Sequence, residues 1–269
     1  MLLTISDKEF ARYQALLYES AGIRLSSEKK ALLCGRLAKR LNKRGLESYA
    51  DYYELIAKGS DPEERQIAID LLTTNETYFF REPKHFEFLT RHLPAWKAAN
   101  AGRAFRVWSA ASSSGEEAYS IAMVLAEHLG AAPWEIMASD ISTRVLERAR
   151  TGHYPLERTK GIPQRYLSEY CLKGTGDQDG TFLIAKQLRE RIVFKHLNLI
   201  ALPPDLGVFD LVFLRNVLIY FDVDTKRRVV DGVTARIKPG GYLLAGHSES
   251  LNGISETLVS EAPAIYRKP

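Results

Sequence analysis

Residues 104–120 read AFRVWSAASSSGEEAYS. A short apolar run at 104–108 ends in a string of Ser and Ala. One glycine, Gly115, follows, and Glu116 and Glu117 then open a helix-like segment. Strand, tight small-residue turn and helix form the entry unit of an α/β sheet, and such a turn holds a ligand at the helix N-terminus. Phosphate-binding turns need several glycines so that bare amides approach the anion. Here the Gly-x-Gly-x-x-Gly pattern is missing, and two carboxylates in the first helical turn would repel a phosphate. Acidic residues also favour helix N-termini whatever is bound there, so the turn alone does not decide the ligand.

The chain on either side supplies more. From about residue 104, strand-like runs at 104–108, 135–139, 192–196, 209–214 and 242–246 alternate with helical patterns at 116–129, 142–150 and 225–237. That alternation predicts a doubly wound, mainly parallel, Rossmann-like sheet with ligands outside the carboxyl ends of its strands. The second strand ends in Asp140, placed either to accept both hydroxyls of a ribose or to cap the next helix. Asn198 and Leu199 end a later strand with a polar group and an apolar face, suited to bracketing an adenine. The run FDLVFLRNVLIYFD (209–222) carries a buried strand into Arg215 and Asn216, then Tyr220; buried strands seldom end in Arg-Asn unless those groups have partners. A ligand with a sulfonium, an ammonium and a ribose diol fits this set better than a phosphate does. S-adenosylmethionine is such a ligand, and the expected chemistry is methyl transfer.

The first 72 residues read as an all-helical unit. Ser6 with Glu9 makes a capping box, Gly22 stops the first helix, and 26–45, 48–59 and 61–72 repeat the plan. In the last, Asp61 caps, Pro62 stands at the first helical position and Glu64 closes the box. Residues 73–103 are expected to form a linker and a helix closing on the active site, with LLTTNETYFFRE (71–82) bringing Phe79 and Phe80 as a hydrophobic plug and Arg81 beside them. Residues 104–269 form the ligand-binding domain. Within it, 170–194, with Gly174, Gly176 and Gly180 around a polar loop, reads as an inserted antiparallel β-subdomain.

Bulk composition narrows the class. The chain has 269 residues and a net charge of +4, too balanced for a protein that wraps nucleic acid. Its two cysteines, Cys34 and Cys171, have no ligand spacing, and the six histidines show none either, so no metal is expected. The opening MLLTISDKEF lacks the apolar core of a signal peptide, and the most apolar run is broken by charge, which predicts a cytoplasmic protein without membrane insertion. The basic excess is local: residues 24–44 hold eight Lys/Arg against one Glu. On that helix Leu33, Leu37 and Leu41 share one face, and Arg36, Lys39, Arg40 and Lys43 share another. A solvated face is the ordinary meaning of such charge.

TTNETYFFRE (73–82), WSAASSSGEEAYSIA (108–122), ASDIS (138–142), NL (198–199), FLRNVLIYF (213–221) and AGHSES (245–250), in that order, resemble the bacterial chemotaxis receptor methyltransferases of the CheR type, which are protein-glutamate O-methyltransferases. The resemblance spans nearly the whole chain. It implies an S-adenosylmethionine-dependent enzyme that forms glutamate methyl esters and S-adenosylhomocysteine. The implied cofactor contacts are Asn75, Thr77, Arg81, Glu117, Asp140, Asn198, Leu199, Arg215 and Asn216, with Arg81 and Tyr220 near the transferred methyl. It makes the basic face of Arg36, Lys39, Arg40 and Lys43 a docking surface for an acidic receptor helix. It also makes the loop of Gly174, Gly176 and Gly180 part of a site for a receptor's C-terminal peptide. The enzyme is expected to be a monomer that does not bind nucleic acid. A nucleic-acid methyltransferase would carry an Asn/Asp-Pro-Pro-aromatic motif where RNVLIY stands; a non-catalytic adaptor remains the other alternative.

Overall fold

The computed structural model describes residues 4–99 and 102–269; positions 1–3 of the N-terminal stretch and 100–101 of the expected linker lie outside the described residues. The chain begins with α1 (Asp7–Ala21), α2 (Lys30–Arg44), α3 (Tyr49–Ala57) and α4 (Pro62–Leu72). The Ser6–Glu9 capping box forms, with Ser6 taking the Glu9 N–H and the Glu9 carboxylate taking the Ser6 N–H. The serines at 26–27 start a 3-10 turn, Ser27–Lys29, before α2 begins. Tyr13, Leu33, Leu37, Leu41, Tyr52 and Ile56 are the apolar centre of this layer.

Glu64 does not close a box. Asp61 accepts its N–H at 2.8 Å, but the Glu64 carboxylate is fully buried between Arg40 Nε at 2.8 Å, Arg44 Nε at 2.7 Å and the Tyr52 hydroxyl at 2.8 Å. Arg36 donates to the carbonyls of Leu72 at 3.2 Å and Thr73 at 2.9 Å. Two of the four cations of the expected docking face are therefore spent inside the molecule. Lys39 and Lys43 stay exposed.

After α5 (Pro83–Ala99) the chain alternates through β1 (Phe105–Ser109), α6 (Glu116–Leu129), β2 (Trp134–Asp140) and α7 (Thr143–Thr151). It continues with β3 (His153–Pro155), α8 (Gln164–Tyr170), β4 (Cys171–Lys173), β5 (Thr181–Ile184) and α9 (Lys186–Arg189). It ends with β6 (Ile192–His196), β7 (Phe209–Leu214), α10 (Val223–Thr234), β8 (Ile237–Ala245), β9 (Val259–Ala262) and β10 (Ile265–Arg267).

The main sheet has the order β6-β2-β1-β7-β8-β10-β9. Its first five strands are parallel, and β10 and β9 close the far edge antiparallel. Alternation along the strands feeds two cores: Val107 and Phe213 point to one face, Trp108 and Val212 to the other. The α5 helix belongs to that first face, through Phe86, Leu89 and Leu93, and is more than a linker. Register aligns Ser109 with Ala138 and Phe213, and Asp140 with His196, so the strand ends lie along one edge.

The small antiparallel sheet has the order β3-β5-β4. It starts earlier than the expected span 170–194, because His153–Pro155 supplies a strand, and Ile192–His196 belongs to the main sheet. Three residues are too short a strand to show in a hydropathy pattern. The helical layer is tied to the main sheet by Asp70 of α4. Its carboxylate accepts the N–H groups of Thr143 at 3.0 Å and Arg144 at 3.1 Å, capping α7 from a different layer.

Candidate active site

The turn after β1 is built from hydroxyls and one glycine. Ser112 donates its N–H to the Ser139 carbonyl at 2.9 Å, and Gly115 donates to the Ser112 carbonyl at 3.0 Å. Gly115 has φ 97°, and a Cβ there would meet Ala149 Cβ and Tyr154 Oη at 3.0 Å, so only glycine fits between α6 and α7. The two glutamates that follow part company. Glu116 turns into the interior, where Ser114 Oγ donates to it at 2.7 Å and Arg158 stands 3.5 Å away. Glu117 faces the cleft, accepts from Ser109 Oγ at 2.7 Å and pairs with Arg215 at 3.2 Å. Burial pushes both carboxyls above their usual range; Ser114 and the charge of Arg158 oppose it at Glu116, and Arg215 leads the opposition at Glu117.

Asp140 is buried at the end of β2 and accepts the N–H of Ser113 through Oδ2 and of Ser142 through Oδ1, each at 2.9 Å. Burial raises its pKa against the pull of those donors. It locks the turn after β1 to the turn before α7, while the capping of α7 itself falls to Asp70.

Arg81 is presented by a strained segment. Phe80 and Glu82, on either side of it, have φ 55° and 59°, a left-handed conformation costing on the order of 1–3 kcal/mol per non-glycine residue. Packing holds both ends. The Phe80 ring stacks on Tyr166 at 5.4 Å, and its N–H donates to Ser120 Oγ at 3.0 Å. The Glu82 carboxylate accepts from Asn216 Nδ2 at 3.1 Å, from the His247 N–H at 3.2 Å and from Arg215 Nε at 3.3 Å. Burial resists the ionisation of Glu82, but Arg215 and these donors outweigh it and keep the carboxyl below its usual range. The Arg81 guanidinium is half-buried, donates to the Glu76 carbonyl at 3.0 Å and lies 5.5 Å from the Tyr78 ring.

Around these residues a cleft opens between the helical layer and the carboxyl edge of the sheet. Asn75, Thr77, Arg81, Glu117, Asp140, Asn198, Leu199, Arg215, Asn216 and Tyr220 all line it. Some are more committed than their type suggests. Asn198 donates its amide to the Ser20 carbonyl at 2.7 Å and accepts from the Ile200 N–H at 3.2 Å, so its polar atoms fasten α1 to the sheet. Burial raises the Tyr220 pKa. Gly174, Gly176 and Gly180 lie elsewhere, beside the small sheet. There a Cβ on Gly174 would stand 2.0 Å from the Gln178 carbonyl, and Gly176 and Gly180 have φ 58° and 79°.

Sequence reasoning missed Ser113, Lys29 and Arg24, which also line the cleft, and the carboxylates Glu82 and Glu249 behind it. Their signal was a carboxylate within motifs already singled out, FFRE and GHSES. Glu82, His85 and His247 bring ligating atoms within 4.8 Å of one another. Glu82 is already taken by Arg215, Asn216 and His247, and burial followed by the charge of Arg215 pushes the His85 pKa down to about 3. The ion pair at this cluster is that of Glu82 with Arg215, and His85 stands beside it as a neutral imidazole.

A parallel sheet whose strand ends present a buried aspartate, a glycine-poor acidic turn and Arg215, with Arg81 brought in by the segment before α5, has the makings of an S-adenosylmethionine-dependent methyltransferase. Residues 75–264 match the family model for the CheR methyltransferase SAM-binding domain, and residues 8–73 match that for the CheR methyltransferase all-alpha domain. The chain belongs to the CheR methyltransferase family. It is 40% identical over 267 residues to the chemotaxis protein methyltransferase of Escherichia coli, covering 98% of this chain and 92% of that one. It is 38% identical to chemotaxis protein methyltransferase 2 of Pseudomonas aeruginosa, covering 96% and 92%. Among solved structures, the N-methyltransferase NodS of Bradyrhizobium japonicum with S-adenosyl-l-homocysteine aligns at a TM-score of 0.40 and 15% identity, over 81% of this chain and 98% of that one.

Proposed function

We propose that the enzyme methylates glutamate side chains on the cytoplasmic helices of chemotaxis receptors, forming methyl esters, and that it acts as a cytoplasmic monomer. The observation that carries this reading is the makeup of the cleft. Among its described lining residues there is no His or Cys, while carboxylates, arginines and two tyrosines, Tyr78 and Tyr220, converge there. An ionised carboxylate nucleophile needs no general base, so this set suits a carboxylate better than an amine or a hydroxyl.

The donor set fits S-adenosylmethionine, which when bound supplies an electrophilic methyl on a sulfonium. Asp140 takes the ribose hydroxyls. Leu199 gives an apolar wall for the adenine, with Asn198 bracing it. Glu117 faces the ammonium, Arg215 balances the buried carboxylates, and Asn75, Thr77 and Asn216 complete the polar lining. Arg81 orients the methionine end or holds the incoming carboxylate loosely. A tight guanidinium clamp on that carboxylate would stabilise the ground state, where its charge is full, more than the transition state, where it is partly neutralised. Tyr220 would place its ring or its hydroxyl beside the sulfonium. Alignment of the reacting atoms would supply up to about 7–11 kcal/mol of barrier lowering.

Lys39 and Lys43 remain as the exposed cations of the α2 docking face for an acidic receptor helix. At the small sheet β4 lies on an edge with Leu172 58% exposed, which supports pairing of a receptor's C-terminal peptide as an added strand. Incubation of receptor-bearing membranes with radiolabelled S-adenosylmethionine tests the reading. Label on receptor bands that leaves as volatile methanol in base supports a carboxyl ester; base-stable label overturns it.

A further inference from the structure

Residues 215–222 join β7 to α10 and carry Arg215, Asn216 and Tyr220 into the cleft. Only a short 3-10 turn at Leu218–Tyr220 shapes this connection, and Asn216 sits in the left-handed region with φ 56°. Such a conformation persists only when its surroundings over-determine it. Here one carboxylate does so. Glu249, buried in the turn after β8, accepts the N–H of Asn216 at 2.6 Å and of Gly246 at 2.8 Å through Oε2, and that of Ile219 at 3.2 Å through Oε1. An ionised carboxylate is acceptor-only and has lone pairs enough for all of them. Glu249 is not among the residues lining the cleft. From the other side, Glu82 holds the Asn216 side chain, so one acid fixes the turn's main chain while another fixes its amide.

We infer that Glu249 is a positioning residue for methyl transfer, setting the Arg215–Tyr220 turn and with it the direction in which Asn216 and Tyr220 face the cleft. The inference rests on the reading of Tyr220 as a residue beside the transferred methyl. It assigns no contact between Glu249 and either substrate.

Two variants of the full chain test it. Glu249→Gln turns an NH2 toward donors that need acceptors. Gly246→Ala leaves the charge in place but would set a Cβ 2.6 Å from Glu249 Oε2, 2.7 Å from Asn216 Nδ2 and 3.0 Å from the Asn216 main-chain nitrogen, pushing on the contact between Glu249 and the turn. The readouts are kcat and KM for receptor, with thermal melting alongside, in the wild-type and Tyr220→Ala backgrounds. Both variants are expected to lower kcat about tenfold or more with receptor KM nearly unchanged. In the Tyr220→Ala background the further loss is expected to stay within about twofold, because residues acting through one another are not additive. Full multiplication of the losses, as a general weakening of the fold would give, overturns the inference. So does a wild-type kcat in both variants while Tyr220→Ala is slow. If Tyr220→Ala itself turns over at the wild-type rate, the reading of the site fails and the inference falls with it.

Discussion

The guanidinium of Arg215 donates to the main-chain carbonyl of Arg81, joining segments 134 residues apart. Arg215 is buried and also pairs with Glu82 and Glu117. One arginine is thus built in as a structural cation, while the side chain of Arg81 donates to the Glu76 carbonyl and lies beside the Tyr78 ring.

That division of labour separates the two variants. Arg81→Ala is expected to lower kcat by about tenfold to a hundredfold while melting near the wild-type temperature. Arg215→Ala removes a buried cation from the partly buried carboxylates of Glu82 and Glu117 and is expected to cost about 3–5 kcal/mol of stability. Steady-state kinetics with parallel thermal denaturation measures both.

Asp140 has a raised pKa because it is buried, and in the proposed site its ionised form would accept the ribose hydroxyls. Affinity for S-adenosylhomocysteine should therefore fall on acidification from a higher pH than an ordinary aspartate would give. Asp140→Asn is expected to bind about tenfold or more weakly with that pH dependence removed. Calorimetric titration across pH shows whether the two curves differ in this way.

Acid lability has two windows. The arginines and Tyr52 around Glu64 outweigh its burial and hold its pKa down to about 2. Its contribution, on the order of 3 kcal/mol, is complete above the unfolded value near 4.5 and is lost as pH falls from there to about 2. His85 acts earlier. Its folded pKa of about 3 lies below the ordinary value of 6.5, so the unfolded chain takes up a proton first and stability declines as pH falls below 6.5. Denaturant unfolding of His85→Gln should show a shallower loss between pH 6.5 and 5, and Glu64→Gln should be less stable at neutral pH.

On α2 the useful docking variants are Lys39→Glu and Lys43→Glu. They are expected to raise receptor KM several-fold, more at low salt, without changing S-adenosylhomocysteine affinity. Arg36 and Arg40 would confound that test, since they hold the α4 terminus and Glu64.

The parallel sheet was legible because strands buried on both faces read as apolar runs between helical patterns. The cleft residues were legible because strand ends are where such sheets bind ligands, and the ordered motifs added the segment around Arg81. What stayed hidden depends on partners distant in sequence. Glu64 looks like a capping-box residue until Arg40 and Arg44 reach it, and Arg36 looks solvated until the Leu72 carbonyl is found beneath it. Glu249 is an ordinary acid in a turn unless the left-handed Asn216 across from it is known. The strand His153–Pro155 has no pattern of its own and exists because β5 pairs with it.

Peptide mapping by mass spectrometry of a receptor incubated with enzyme and S-adenosylmethionine tests the central claim most directly. One added methyl is expected on glutamate side chains within acidic helical segments, removed by base and formed about tenfold to a hundredfold more slowly with Arg81→Ala. Methylation confined to nitrogen, or an unmodified receptor in the presence of enzyme that binds S-adenosylhomocysteine, would contradict it.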